Sequence, residues 1–138
     1  MNRLNDIIKE RVLILDGAMG TVIQQYGLTE DDFRGERFTA IEGIMKGNND
    51  VLCLTRPDVI SDIHKRYLKA GADIITTNTF NAQRISQSDY HTEHFAREMN
   101  LQGARLARQC ADEFSSSDKP RFVAGSVGPT NKTCSMIA

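Results

Sequence analysis

Three apolar runs in this 138-residue chain end in the same way. Val12, Leu13, Ile14 and Leu15 stop at Asp16 and Gly17. Residues 73–77 run into Asn78, Thr79 and Phe80, and residues 121–124 run into Gly125, Ser126, Val127, Gly128 and Pro129. Short apolar runs closed by polar and glycine residues mark strands covered on both faces, as in a parallel sheet. Helical patterns separate the second and third runs from what precedes them. Pro57 opens one helix where its missing N–H costs nothing. Val59, Ile60, Ile63, Tyr67 and Leu68 share a face of it, and Gly71 closes it. The second helix spans residues 92–114. Phe95, Met99, Leu106, Cys110 and Phe114 recur at helical spacing there, with Gly103 on the same stripe to allow close packing. Strand, helix, strand, helix, strand implies an α/β chain with parallel strands and right-handed crossovers. An open doubly wound sheet and part of a (β/α)8 barrel both fit. A whole barrel takes roughly 250 residues, so three strands are less than half of one.

The remaining segments are less regular. Residues 5–11 read as a short helix with Ile7 and Ile8 toward the core and Arg11 near its end, where a cation is favoured. Residues 27–49 carry many charges and four glycines, and read as a long loop with one helical turn. Residues 51–55 read as a short strand-like piece.

Composition excludes whole classes of function. Formal net charge is −1, so no basic surplus exists to bind nucleic acid or an anionic membrane. No apolar run approaches the roughly 18 residues that span a bilayer. The N-terminal residues mix Arg3, Asp6, Lys9, Glu10 and Arg11 among apolar ones, unlike a signal peptide, which leaves the cytoplasm as the expected compartment. Cys53, Cys110 and Cys134 are odd in number and far apart, which argues against a disulfide framework or a local zinc knuckle. Each reads as a small buried hydrophobe. His91 and His94 sit three apart without a third ligand nearby and read as a solvated pair; His64 falls inside the first long helix.

In a parallel α/β protein the three strand ends lie on one face, where ligands bind. Asp16 can there pair with a substrate ammonium or hold a metal, or else cap the following helix. Gly17 either admits a ligand to the backbone or only makes the turn. Asn78, Thr79 and Phe80 can bond a polar ligand and wall its apolar part, or form a plain strand-to-helix turn.

The stretches VLILDGAMGTVIQ, GADIITTNTFNA and RFVAGSVGPTNKT resemble the first three strand regions of homocysteine S-methyltransferases. DDFRGERF and KGNNDVL are similar to the cobalamin-dependent methionine synthases within that family. The resemblance covers residues 2–136. It implies the first three parallel strands, with their crossover helices, of a (β/α)8 TIM barrel, all of residues 1–138 being the N-terminal portion of that one domain. It implies that residues 51–55 belong to the long first loop and form no barrel strand. The implied reaction moves a methyl group to homocysteine, giving methionine. The donor is methylcobalamin, recharged by methyltetrahydrofolate, with folate- and cobalamin-binding domains further along the same protein. The resemblance places Asp16 at the substrate ammonium, the backbone of Gly17 and Ala18 near its carboxylate, and Asn78, Thr79 and Phe80 along the same pocket.

Family members activate the thiol on zinc held by three cysteines, because a coordinated thiol loses its proton. Cys53, Cys110 and Cys134 do not match those ligand positions, and a carboxylate that the family takes from a later strand is also absent. The chain alone is thus expected to be inactive, to look truncated at its end, and to self-associate through open sheet edges. A homocysteine methyltransferase using betaine or S-methylmethionine is the alternative within enzymes, and a non-catalytic truncated chain is the alternative outside them.

Overall fold

The computed structural model describes residues 3–133. Helix α1 (Arg3–Ile7) leads into an extended segment, residues 12–16, and then α2 (Met19–Gln25) and α3 (Glu30–Arg34). After an irregular stretch come α4 (Leu52–Thr55), α5 (Pro57–Ala70) and strand β1 (Ile74–Thr76). Short α6 (Arg84–Gln87) and two 3-10 turns precede α7 (Ala96–Phe114), and strand β2 (Phe122–Ala124) follows.

The sheet is parallel throughout. Ile74, Ile75 and Thr76 pair with Phe122, Val123 and Ala124. On the other side of β1, Leu15 bridges Ile74 in parallel. The Ile74 amide donates to the Ile14 carbonyl at 3.1 Å, and the Asp16 amide donates to the Ile74 carbonyl at 2.9 Å. The first segment therefore holds its strand position, but it is not covered on both faces. Val12, Ile14 and Leu15 are 85%, 59% and 55% exposed, because none of the described residues packs on its outer side.

The two predicted long helices are present. Pro57 is at the start of α5, and Gly71 terminates it at φ 111°, a left-handed conformation that a Cβ would oppose. Val59, Ile60, Ile63, Leu68 and also His64 are buried on its inner face. Helix α7 begins at Ala96, later than the expected residue 92, because Glu93–Phe95 form a 3-10 turn first. Gly103 lies against Thr79, where a Cβ would come within 2.6 Å of Cγ2, so α7 approaches the sheet end closely. Ile75, wholly buried, meets Leu68, Ala107, Cys110 and Ala111 between sheet and helices.

Two local expectations are corrected. The first helix ends at Ile7, and Ile8 is 61% exposed, its amide bonded in a turn to the Leu4 carbonyl. Residues 51–55 are helical: a 3-10 turn, Asn49–Val51, runs straight into α4. Val51, Leu52 and Cys53 are buried together, a pattern that a strand and a buried helical turn share. The long first connection keeps its expected helical turn, α3, and is packed inward. Its Phe33, Phe38, Met45 and Val51 are at most 4% exposed and join Ile60, Ile63 and Met99 in the larger core cluster.

At the end of the sheet where β1 begins, Arg11 grips Asp73 through two bonds of 3.0 and 2.7 Å, and the Ile14 amide donates to the same carboxylate at 2.9 Å. The guanidinium hydrogen bonds hold the Asp73 carboxyl down at about 2. No helix among the described residues is long and apolar enough to cross a membrane.

Candidate active site

Parallel pairing brings the ends of all three extended segments to one rim, opposite the Arg11–Asp73 pair. Asp16 leaves the first segment with its carboxylate turned to the next strand. It accepts the Thr76 amide at 2.9 Å and the Thr76 hydroxyl at 3.0 Å. Partial burial still raises its proton affinity, outweighing those hydrogen bonds. Asp16 therefore stitches the first tip to the second.

Hydroxyls stitch the second tip to the third. The Thr77 amide donates to the Ala124 carbonyl at 3.0 Å. The Thr79 hydroxyl donates to the Ser126 carbonyl at 2.9 Å, and the Ser126 amide donates to Thr77 Oγ1 at 2.9 Å. Since the Thr79 proton is committed, the Thr77 hydroxyl donates across the 2.6 Å gap to Thr79 Oγ1. The Gly128 amide donates to the Phe80 carbonyl at 2.9 Å, and a Cβ at Gly128 would lie 2.4 Å from that oxygen. Only glycine fits there.

The irregular stretch before α4 closes the rim from the side. Asn78 Nδ2 donates to the Asn49 carbonyl at 2.8 Å, and the Asn81 amide donates to Asp50 Oδ1 at 2.9 Å. Behind them Asn48 and Gln87 exchange side-chain amide bonds of 2.8 and 3.1 Å, and Thr92 donates to Gln87 Oε1 at 2.7 Å. All three residues are at most 2% exposed, so this contact is rigid.

These parts enclose a cavity of about 310 Å3. Of the residues predicted from sequence, Gly17, Asn78 and Phe80 line it. Asp16, Ala18 and Thr79 stand beside the lining residues without forming the wall, and the Asn78 and Thr79 side chains are occupied by the contacts above. Phe80 is half exposed, whereas Asn78 and Thr79 are buried. Sequence reasoning missed Asn49, Asp50, Asn81 and Ser126 in the wall. The polar run Asn48, Asn49, Asp50 just before a buried apolar segment was the available signal.

Cys53 and Cys110 are buried and free, and Cys134 lies outside the described residues. Burial pushes the Cys53 thiol up to about 12. It packs against Asn78, and the Cys110 thiol faces the Ser61 carbonyl. No group of three histidine, cysteine or acidic side chains able to hold a metal occurs among the described residues. His91 and His94 are both exposed.

The comparisons agree with this architecture. The family pattern described as homocysteine S-methyltransferase matches residues 13–137. The metallated form of the homocysteine methyltransferase MmuM from Escherichia coli superposes with a TM-score of 0.70 at 22% identity, over 93% of this chain and 42% of that one. The oxidized form gives 0.72 at 22% identity, over 94% and 41%. The chain thus spans less than half the length of these structures, and at that identity they speak for the fold alone. The match over residues 13–137 makes this chain a member of the homocysteine S-methyltransferase family.

Proposed function

We propose that the chain forms the amino-acid-holding part of a homocysteine methyltransferase, as the first three strands of a (β/α)8 barrel. The carrying observation is that the strand ends meet at a cavity of amino-acid size in a chain of this family. Asp16 supplies a carboxylate next to that cavity for the substrate ammonium. Helix α2 starts after Ala18 without a side-chain cap, which leaves the N–H groups of Ala18 and the first turn without intrahelical partners, and together with the backbone at Gly17 they serve the substrate carboxylate. Asn78, Thr79 and Phe80 shape the neighbouring wall. Fixing the amino-acid end in this way aims the sulfur, and orientation is a large part of the rate of any group transfer.

The zinc that the family reaction implies does not fit the described residues. Cys53 and Cys110 are buried apart in packed surroundings and hold their protons, and no third ligand accompanies either. Thiol activation therefore belongs to residues beyond those described. A corrinoid does not fit a cavity of about 310 Å3 either. In the finer reading, a cobalamin-dependent methionine synthase, methylcobalamin is the donor, methyltetrahydrofolate recharges it, and both are held by other domains of the full-length protein. DDFRGERF and KGNNDVL support that reading. A second reading, a homocysteine methyltransferase with a small donor such as S-methylmethionine or betaine, is equally consistent with membership of the family.

The test is methionine formation by the full-length protein with homocysteine and zinc. Methylcobalamin should sustain it. Turnover with S-methylmethionine or betaine in the absence of cobalamin would move the assignment to the second reading. Asp16→Asn should weaken homocysteine binding by about tenfold, the scale of a hydrogen bond to a charged group.

A further inference from the structure

Asp50 is the one charged side chain among the described residues that line the cavity. It is 3% exposed. Its Oδ1 accepts the Asn81 amide at 2.9 Å, and no lysine, arginine or histidine pairs with it among the described residues. A carboxylate removed from water without a cation is costly. The segment that carries it cannot swing away, because Asn49 is held by Asn78 and Asn48 by Gln87. A rigid backbone thus holds an unpaired acid at the wall of a hollow. The rest of the lining is neutral. One carboxylate without companions does not make a metal site. What the cavity lacks is a compact cationic donor, and an ammonium group supplies one.

We propose that Asp50 is a further substrate-binding residue, whose carboxylate receives an N–H of the substrate's ammonium group inside the cavity. The inference rests on the amino-acid-binding reading above and adds a residue to it. Asp16 and Asp50 differ in kind. Both oxygens of Asp16 already face Thr76, whereas Asp50 is the acid in the cavity wall.

The test is a ligand-observed NMR titration of the chain and of Asp50→Asn with L-homocysteine, L-methionine and 4-mercaptobutyrate, the last lacking the amino group. Asp50→Asn should weaken L-homocysteine by about tenfold or more and leave 4-mercaptobutyrate unchanged. A measurement on the unmodified chain guards against a misfolded variant. Calorimetry near pH 6, in buffers of different ionisation enthalpy, should show proton release with L-homocysteine and none with 4-mercaptobutyrate. L-homocysteine that binds Asp50→Asn as tightly as the parent, without proton release in the parent, overturns the inference and leaves the homocysteine reading standing. L-methionine binding that depends on Asp50 while L-homocysteine fails to bind supports the inference and removes the homocysteine reading. Absence of any amino-acid binding overturns both.

Discussion

His64 and Asp50 are buried titratable residues with opposite effects on stability. His64 is fully buried on α5, and neither ring nitrogen has a hydrogen-bond partner among the described residues. Burial lowers its pKa to about 4, against 6.5 in the open chain. The unfolded state therefore takes up the proton first. Stability from this residue is complete above pH 6.5 and falls by about 3 kcal/mol as the pH drops to about 4. Asp50 is raised by burial from 3.8 to about 6. Here the folded state keeps the proton longer, so stability falls by about 3 kcal/mol as the pH rises from about 4 to about 6. The two slopes oppose each other in one window. Urea unfolding between pH 4 and 7 should give a flatter profile for the parent chain than for a variant lacking either residue. Asp50→Asn should uncover a stability that rises with pH, and His64→Leu one that falls. At pH 7, His64→Leu should also stabilise by about 1–3 kcal/mol, because it removes unpaired polar atoms from the core. A His64→Leu protein less stable than its parent at pH 7 would show that the ring has partners.

Among the elements, close approach of α7 to the strand ends is the critical packing contact. Gly103→Ala would improve helix propensity by about 1 kcal/mol in isolation. Here the new Cβ meets Thr79 Cγ2 at 2.6 Å and Cys53 Sγ at 3.4 Å. The expected result is a net loss of about 1–3 kcal/mol in chemical denaturation, and weaker homocysteine binding, since Thr79 joins the second tip to the third. Ala104→Gly, on the exposed side of the same helix, should cost about 1 kcal/mol and leave binding alone. Helices α5 and α7 were legible because their apolar stripes are long and α5 is bounded by Pro57 and Gly71. The stretch between α3 and α4 was not. Its buried residues Phe38, Met45 and Val51 follow neither the helical nor the strand period. Gly35, Gly43 and Gly47, all at positive φ, turn the chain along this stretch. For the same reason Asp50 was missed as part of the cavity wall, whereas Gly17, Asn78 and Phe80 were found by counting from strand ends.

For the whole molecule, the sheet is paired on one side only at each border among the described residues. Val12, Ile14 and Leu15 at one border and Val127 beyond the other are exposed. Unpaired parallel edges and apolar patches recruit other chains. The isolated chain should associate in a concentration-dependent manner in sedimentation velocity. Val12→Lys with Ile14→Lys should reduce that association without removing a ladder hydrogen bond, because the Ile14 contacts to β1 use its backbone. A parent chain that stays monomeric across that concentration range would contradict this reading of its borders.

The Arg11–Asp73 pair sits at the far end of the sheet from the cavity, and the Arg11 guanidinium is partly open to water. Folding strength and ligand choice thus draw on residues that do not touch. Substitutions around Arg11 can tune how firmly the chain holds together while ligand preference stays fixed, and changes at the cavity wall can alter preference without loosening that anchor. Such a layout gives the two properties separate routes for change over evolutionary time.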